Sequence, residues 1–126
     1  MLILFDIDGT LLRSGGAGPR SMGIAMQQLH PPRHEGDCVD MKKLDTAGWL
    51  DPLIWRALVD QRGLEATDEG HDAFRETYGA ILAEIIEAEN PVYALPGAAE
   101  AVDWVHEHPN LEAALLTGNY PETGRL

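Results

Sequence analysis

The sequence predicts an α/β fold: a partial doubly wound, Rossmann-like parallel-sheet core with an inserted α-helical region. Three observations lead to it. An apolar run at residues 2–5 stops at Asp6-Ile7-Asp8-Gly9. Residues 15–90 carry helical periodicity and no strand signal. A further helix and a second apolar run, Leu111 to Leu116, then end at Thr117-Gly118-Asn119. A strand, helix and strand in that order close as a parallel crossover, so the helical block is an insertion into the crossover.

Taken in order, Leu2-Ile3-Leu4-Phe5 reads as a strand buried on both faces, as in a parallel sheet. Asp6 and Asp8 then fall at its carboxyl end, where open α/β sheets place their ligands. Ser14 to Gly18 is a glycine-rich loop, and Pro19 suits a first helical position. The helix it opens runs to about Leu29, with Met22, Ala25, Met26 and Leu29 at helical spacing, and Pro31-Pro32 stops it. Residues 33–48 are polar and irregular. Asp51 as N-cap, Pro52 at the first position and Gly63 past the end frame the next helix, whose apolar face is Ile54, Trp55, Leu58 and Val59. A longer helix from about Thr67 to Ala88 carries the stripe Phe74, Tyr78, Ile81, Leu82, Ile85 and Ile86, and Asn90-Pro91 ends it. Pro96 opens a helix apolar at Ala98, Ala101, Val102 and Val105. The turn His108-Pro109-Asn110 leads into the second strand. The expected division is an incomplete α/β core, residues 1–14 and 91–126, and a helical block, residues 15–90.

Composition narrows the function classes. The 126 residues are 44% hydrophobic, enough for a packed core, and 21 acids against 9 bases leave a formal charge of -12. That balance argues against nucleic-acid binding, which needs clustered Lys and Arg, and against docking on an anionic membrane. The single cysteine, Cys38, excludes an intrachain disulfide. The first apolar run is too short for a signal sequence or a membrane span. A cytoplasmic protein is expected.

The chemistry sits in Asp6-Ile7-Asp8-Gly9-Thr10. Two carboxylates where a buried strand ends are costly unless a cation compensates them. Mg²⁺ suits the pair, because it takes one or two carboxylates, keeps several waters and binds substrate phosphate. A carboxylate can attack phosphorus to give an aspartyl-phosphate. A second one can protonate the leaving oxygen and later deprotonate water. Thr117 offers a hydroxyl, and Gly118 and Asn119 offer backbone N–H groups, for phosphoryl oxygens.

Leu4 to Leu12, read as Leu-Phe-Asp-Ile-Asp-Gly-Thr-Leu-Leu, resembles the first motif of the haloacid dehalogenase superfamily, and Leu115-Leu116-Thr117-Gly118-Asn119 resembles its second. The helical block resembles the family's helical cap, and Pro96-Gly97 is similar to phosphoglycolate-phosphatase-like members. The resemblance implies Asp6 as nucleophile and metal ligand. It implies Asp8 as general acid/base and as a metal ligand through its backbone carbonyl, with Thr117 binding phosphate. The family's dehalogenases lack the second aspartate, so Asp8 favours phosphoryl transfer. The implied function is Mg²⁺-dependent hydrolysis of a small phosphorylated metabolite. A phosphomutase of the same superfamily and a non-catalytic acidic interaction domain are the alternatives.

The family's third-motif lysine and fourth-motif acidic pair have no counterpart here. Lys42 and Lys43, the only lysines, lie in the helical block. The chain is therefore expected to be truncated after the second motif and weakly active or inactive, since losing such an electrostatic stabiliser costs on the order of 10²–10³ in rate. An open apolar sheet edge is expected as well. Gly36-Asp37-Cys38-Val39-Asp40 faintly echoes the fourth motif but reads as a solvated loop. Trp55 and Trp104, in helical stripes, read as core, whereas Trp49 precedes a helix and fits either a site-facing platform or a plain loop residue. His30, His34, His71, His106 and His108 lack zinc-site spacing. Gly15 to Gly18 lacks the lysine of a phosphate-binding P-loop and reads as a hinge into the helical block.

Overall fold

The computed structural model describes Met1–Leu126. The strands and helices, in chain order, are β1 (Leu2–Phe5), β2 (Leu12–Arg13), α1 (Ala17–Leu29), α2 (Asp51–Gln61), α3 (Asp68–Glu89), β3 (Tyr93–Ala94), α4 (Ala98–Glu107) and β4 (Glu112–Leu115). The chain divides into two compact units: Met1–Gly16 with Pro91–Thr117, and Ala17–Asn90 with Gly118–Leu126. The first is an α/β unit and the second is helical, so the predicted fold class, an α/β core with a helical insertion, is what the chain adopts.

In the α/β unit, β1 and β4 pair in parallel, with Leu2 opposite Glu112 and Phe5 opposite Leu115. Hydrogen bonds extend the ladder at both ends: Glu112 N–H donates to the Met1 carbonyl at 2.9 Å, and Leu116 N–H to the Phe5 carbonyl at 2.8 Å. The expectation of a strand buried on both faces needs correction. Leu2 and Leu4 are 57% and 51% exposed, while Ile3 and Phe5 are half-buried. Successive strand residues face opposite sides, and this sheet has two strands with a single helix, α4, packed on β4. Trp104 also departs from its core reading: it is 55% exposed, and its ring lies 4.0 Å from the His108 ring. The core side of α4 is carried by Ala98 and Val105.

A second pairing had no counterpart in the sequence reading. Strands β2 and β3 form a two-residue antiparallel ribbon, Leu12 opposite Ala94 and Arg13 opposite Tyr93. Leu95 N–H extends it to the Leu11 carbonyl at 2.9 Å. Strands of two residues carry no readable alternation. Beyond the ribbon, Gly15 and Gly16 both adopt positive φ, and a Cβ on Gly15 would sit 3.3 Å from the Pro91 side chain.

The helical unit holds the main core. Ala17, Met22, Ala25 and Met26 of α1, Ile54, Trp55, Leu58 and Val59 of α2, and Phe74, Tyr78, Ile81 and Leu82 of α3 cluster together with Tyr120. Helix α1 starts at Ala17, two residues before the expected proline. Pro19 lies in the first turn, where its missing N–H is no loss. Thr67 caps α3, its hydroxyl accepting from Gly70 N–H at 3.0 Å, and Asn90 closes that helix in the left-handed conformation at φ 45°.

Asp51 is not the N-cap of α2. That position is Leu50, which has no side-chain cap, and Asp51 is a buried first-turn residue. Its groups are engaged by the tail: Asp51 N–H donates to the Gly118 carbonyl at 2.8 Å, and its carboxylate accepts from Tyr120 N–H at 3.0 Å. Asp37 likewise departs from the solvated-loop reading of residues 36–40. It is buried between Arg33 and Arg62, while neighbouring Cys38 is exposed.

Candidate active site

The first-motif residues form a compact turn directly after β1. The Ile7 carbonyl accepts from the N–H groups of Thr10 at 3.3 Å, Leu11 at 3.0 Å and Leu12 at 3.1 Å, and Gly9 N–H donates to the Leu12 carbonyl at 2.8 Å. Gly9 adopts φ +79°, in the left-handed region that glycine enters without steric cost. The Ile7 side chain is buried, whereas Asp6 and Asp8 on either side of it are exposed. The pattern polar-apolar-polar thus anchors the turn through Ile7 and leaves both carboxylates at the surface of the strand end.

Thr117 closes the same end of the sheet. It follows Leu116, whose N–H is bonded to Phe5, the residue before Asp6. Asp6, Asp8 and Thr117 therefore all follow the carboxyl ends of two hydrogen-bonded parallel strands within one unit. Gly118 and Asn119 belong to the helical unit. A side chain at 118 has no room: a Cβ there would lie 2.8 Å from the Trp49 carbonyl oxygen and 3.2 Å from the Leu50 Cα. Trp49 is 42% exposed, in the loop before α2.

No group of three or more His, Cys, Asp or Glu side chains gathers as a metal-binding cluster. Asp6 and Asp8 supply two hard oxygen donors, which fits the limited protein ligation of Mg²⁺, completed by water and substrate phosphate. Lys42 and Lys43 lie in a short 3-10 turn, Met41–Lys43, of the helical unit, where Lys43 pairs with Asp40 at 3.6 Å.

Several residues with defined roles escaped the sequence reading. His71 stacks on Trp55 at 4.3 Å between ring centroids, and its Nε2 is 2.8 Å from the Tyr120 hydroxyl. Burial first, and then the nearby Asp51 carboxylate, push the Tyr120 phenol well above its ordinary value. Arg75 lies over the Tyr120 ring and makes a two-point pair with Glu122 at 2.8 and 3.2 Å. These contacts bind the 118–126 tail to α2 and α3. Its only advance signal was a lone tyrosine after the second motif. An open groove of about 500 Å³ lies along α3 and the tail, lined in part by Asp72, Arg75, Gly79 and Glu122, and none of the predicted site residues faces it. No helix is long and apolar enough to cross a membrane.

The profile of the haloacid dehalogenase-like hydrolases matches residues 1–125. Among curated proteins nothing matches. Among solved structures, a hydrolase from Pseudomonas syringae is similar with a TM-score of 0.72 at 23% identity, covering 96% of this chain and 51% of that one. A predicted phosphoglycolate phosphatase from Haemophilus somnus 129PT is similar with a TM-score of 0.63 at 22% identity, covering 96% of this chain and 52% of that one. The chain spans about half the length of these solved structures, and at such identities the likeness is one of fold.

Proposed function

The chain belongs to the haloacid dehalogenase-like hydrolases, and from that premise we propose that it carries the nucleophile half of a Mg²⁺-dependent phosphatase acting on a small phosphate monoester. One observation supports this reading above others. Asp6 and Thr117 follow the ends of the paired parallel strands β1 and β4, with Asp8 in the turn just beyond. Open α/β sheets bind ligands at that edge.

In this reading the Asp6 carboxylate attacks phosphorus, the ester P–O bond breaks, and protonated Asp8 gives its proton to the departing alkoxide. Water then attacks the aspartyl-phosphate, Asp8 takes up the water proton, and inorganic phosphate leaves with the Asp6 carboxylate restored. The Thr117 hydroxyl and the N–H groups of Gly118 and Asn119 hold phosphoryl oxygens as charge develops. Asp6 and Asp8 would hold Mg²⁺, which when bound supplies charge that offsets repulsion between the anionic nucleophile and the anionic substrate.

The test is hydrolysis of an aryl phosphate with and without Mg²⁺, alongside Asp6→Asn. Weak Mg²⁺-stimulated turnover that is lost in the variant, with phosphate trapped on the wild-type chain in acid quench, is the expected result. Turnover persisting in Asp6→Asn sinks the aspartyl-phosphate mechanism.

A further inference from the structure

We propose that Asp51, at the start of α2, is a positioning residue that sets the backbone of the second motif for phosphate binding. The inference rests on the phosphatase reading above and adds a residue outside both motifs.

The geometry is a clamp on either side of Asn119. Asp51 N–H donates to the Gly118 carbonyl at 2.8 Å, and the Asp51 carboxylate accepts from Tyr120 N–H at 3.0 Å. The peptide plane joining Gly118 to Asn119 carries both the Gly118 carbonyl and the Asn119 N–H, which point in opposite directions in a trans peptide. Holding that carbonyl against the first turn of α2 aims the Asn119 N–H away from α2. The next plane is held in the same way, because its Tyr120 N–H is tied to the carboxylate. One residue thus fixes both peptides that flank Asn119.

Three features make the clamp stiff. Asp51 is buried at 4% exposure. Its carboxylate lies in the first turn of α2, where the helix dipole favours negative charge. Gly118 sits so close to Trp49 and Leu50 that only a residue without a side chain allows the approach. The glycine of the second motif therefore serves the contact with α2 as well as the approach of a ligand. Electrostatic catalysis depends on donors aimed before the substrate arrives, and that aim is what Asp51 supplies.

The experiment uses the ¹⁵N-labelled 126-residue chain with Mg²⁺ and inorganic phosphate as probe. Phosphate should shift the Asn119 amide and, by reciprocal linkage, slow hydrogen exchange of the Tyr120 amide. Asp51→Ala should speed Tyr120 exchange and weaken phosphate binding about tenfold, the scale of one misplaced charge-assisted hydrogen bond. Asp51→Asn keeps a carbonyl acceptor and should stay within about threefold of the wild type. A purely structural role would leave phosphate affinity unchanged in folded Asp51→Ala, and that result overturns the inference while the phosphate site stands. If Asp51→Ala does not fold, the wild type decides: phosphate that shifts Asn119 without slowing Tyr120 exchange overturns it. A wild-type chain with no phosphate response at Thr117, Gly118 or Asn119 removes the phosphatase reading, and the inference with it.

Discussion

Arg62 and Asp37 form a two-point ion pair inside the helical unit, with Nε to Oδ1 at 2.9 Å and Nη2 to Oδ2 at 3.1 Å. Both side chains are nearly sealed, at 2% and 6% exposure. Arg62 also donates to the carbonyls of His30 and Pro31, so one guanidinium gathers the segment after α1 at the end of α2. Arg33 joins through its side chain and its backbone N–H.

Arg33, and to a smaller degree Arg62, hold the Asp37 carboxyl well below the usual carboxylate range. A carboxylate depressed in the folded state stabilises fully above its unfolded value, near 3.8, and progressively less as pH falls below that. Melting temperature should therefore drop below about pH 4, and Asp37→Asn should flatten that part of the profile. An unchanged acid limb in Asp37→Asn would contradict this. At neutral pH, Arg62→Met should destabilise more than Arg33→Met, because Arg33 is 56% exposed.

Two tryptophans should respond very unequally. Trp55 is buried at 7% exposure and stacks on His71, so Trp55→Ala should cost about 3–5 kcal/mol in urea unfolding. Trp104 is 55% exposed, and Trp104→Ala should change stability by less than about 1 kcal/mol. Equal losses would show that the α4 surface is covered in solution.

Gly118→Ala should destabilise the chain by about 1–3 kcal/mol, the range for forcing a methyl into a filled space. Its Cβ would meet backbone, the Trp49 carbonyl oxygen and the Leu50 Cα, which cannot swing aside as a side chain can. Chemical denaturation measures the cost, and a neutral substitution would mean that the 118–126 tail is not seated on α2.

Asp8→Ala should lower turnover by about 10²–10⁴ with an alkyl phosphate and far less with an aryl phosphate. A phenolate departs without a proton, whereas an alkoxide needs one, so the ratio of the two rates isolates acid catalysis. Equal losses on both substrates would assign Asp8 to metal binding or to the turn alone.

The order of β1, the four helices and β4 was legible in the sequence because it rests on local signals: apolar runs, helical stripes, and the breakers Asn90 and Pro91. The first motif was legible too, since the turn from Ile7 to Leu12 is built from residues adjacent in the chain. What escaped depended on partners far away. Asp51 reads as a helix cap until Gly118 and Tyr120 arrive beside it. Asp37 reads as a loop acid until Arg62 meets it. Leu2, Leu4 and Trp104 read as buried because apolar pattern reports what a residue prefers, while exposure depends on how many neighbours a sheet or helix has. The β2–β3 ribbon is too short for any periodicity to announce it.

The path of the chain after Thr117 bears on how the helical unit can be exchanged. Residues Gly118–Leu126 count with Ala17–Asn90, not with the strand that delivers them. Swapping residues 17–90 for the helices of a relative would leave Tyr120 without its stack of aromatic neighbours and Glu122 without Arg75. A transplant that respects the packing has to carry two discontinuous pieces of chain, Ala17–Asn90 and Gly118–Leu126. Substitutions in α2 and in the tail should accordingly drift as a matched set, the helix and the segment behind the second strand inherited together.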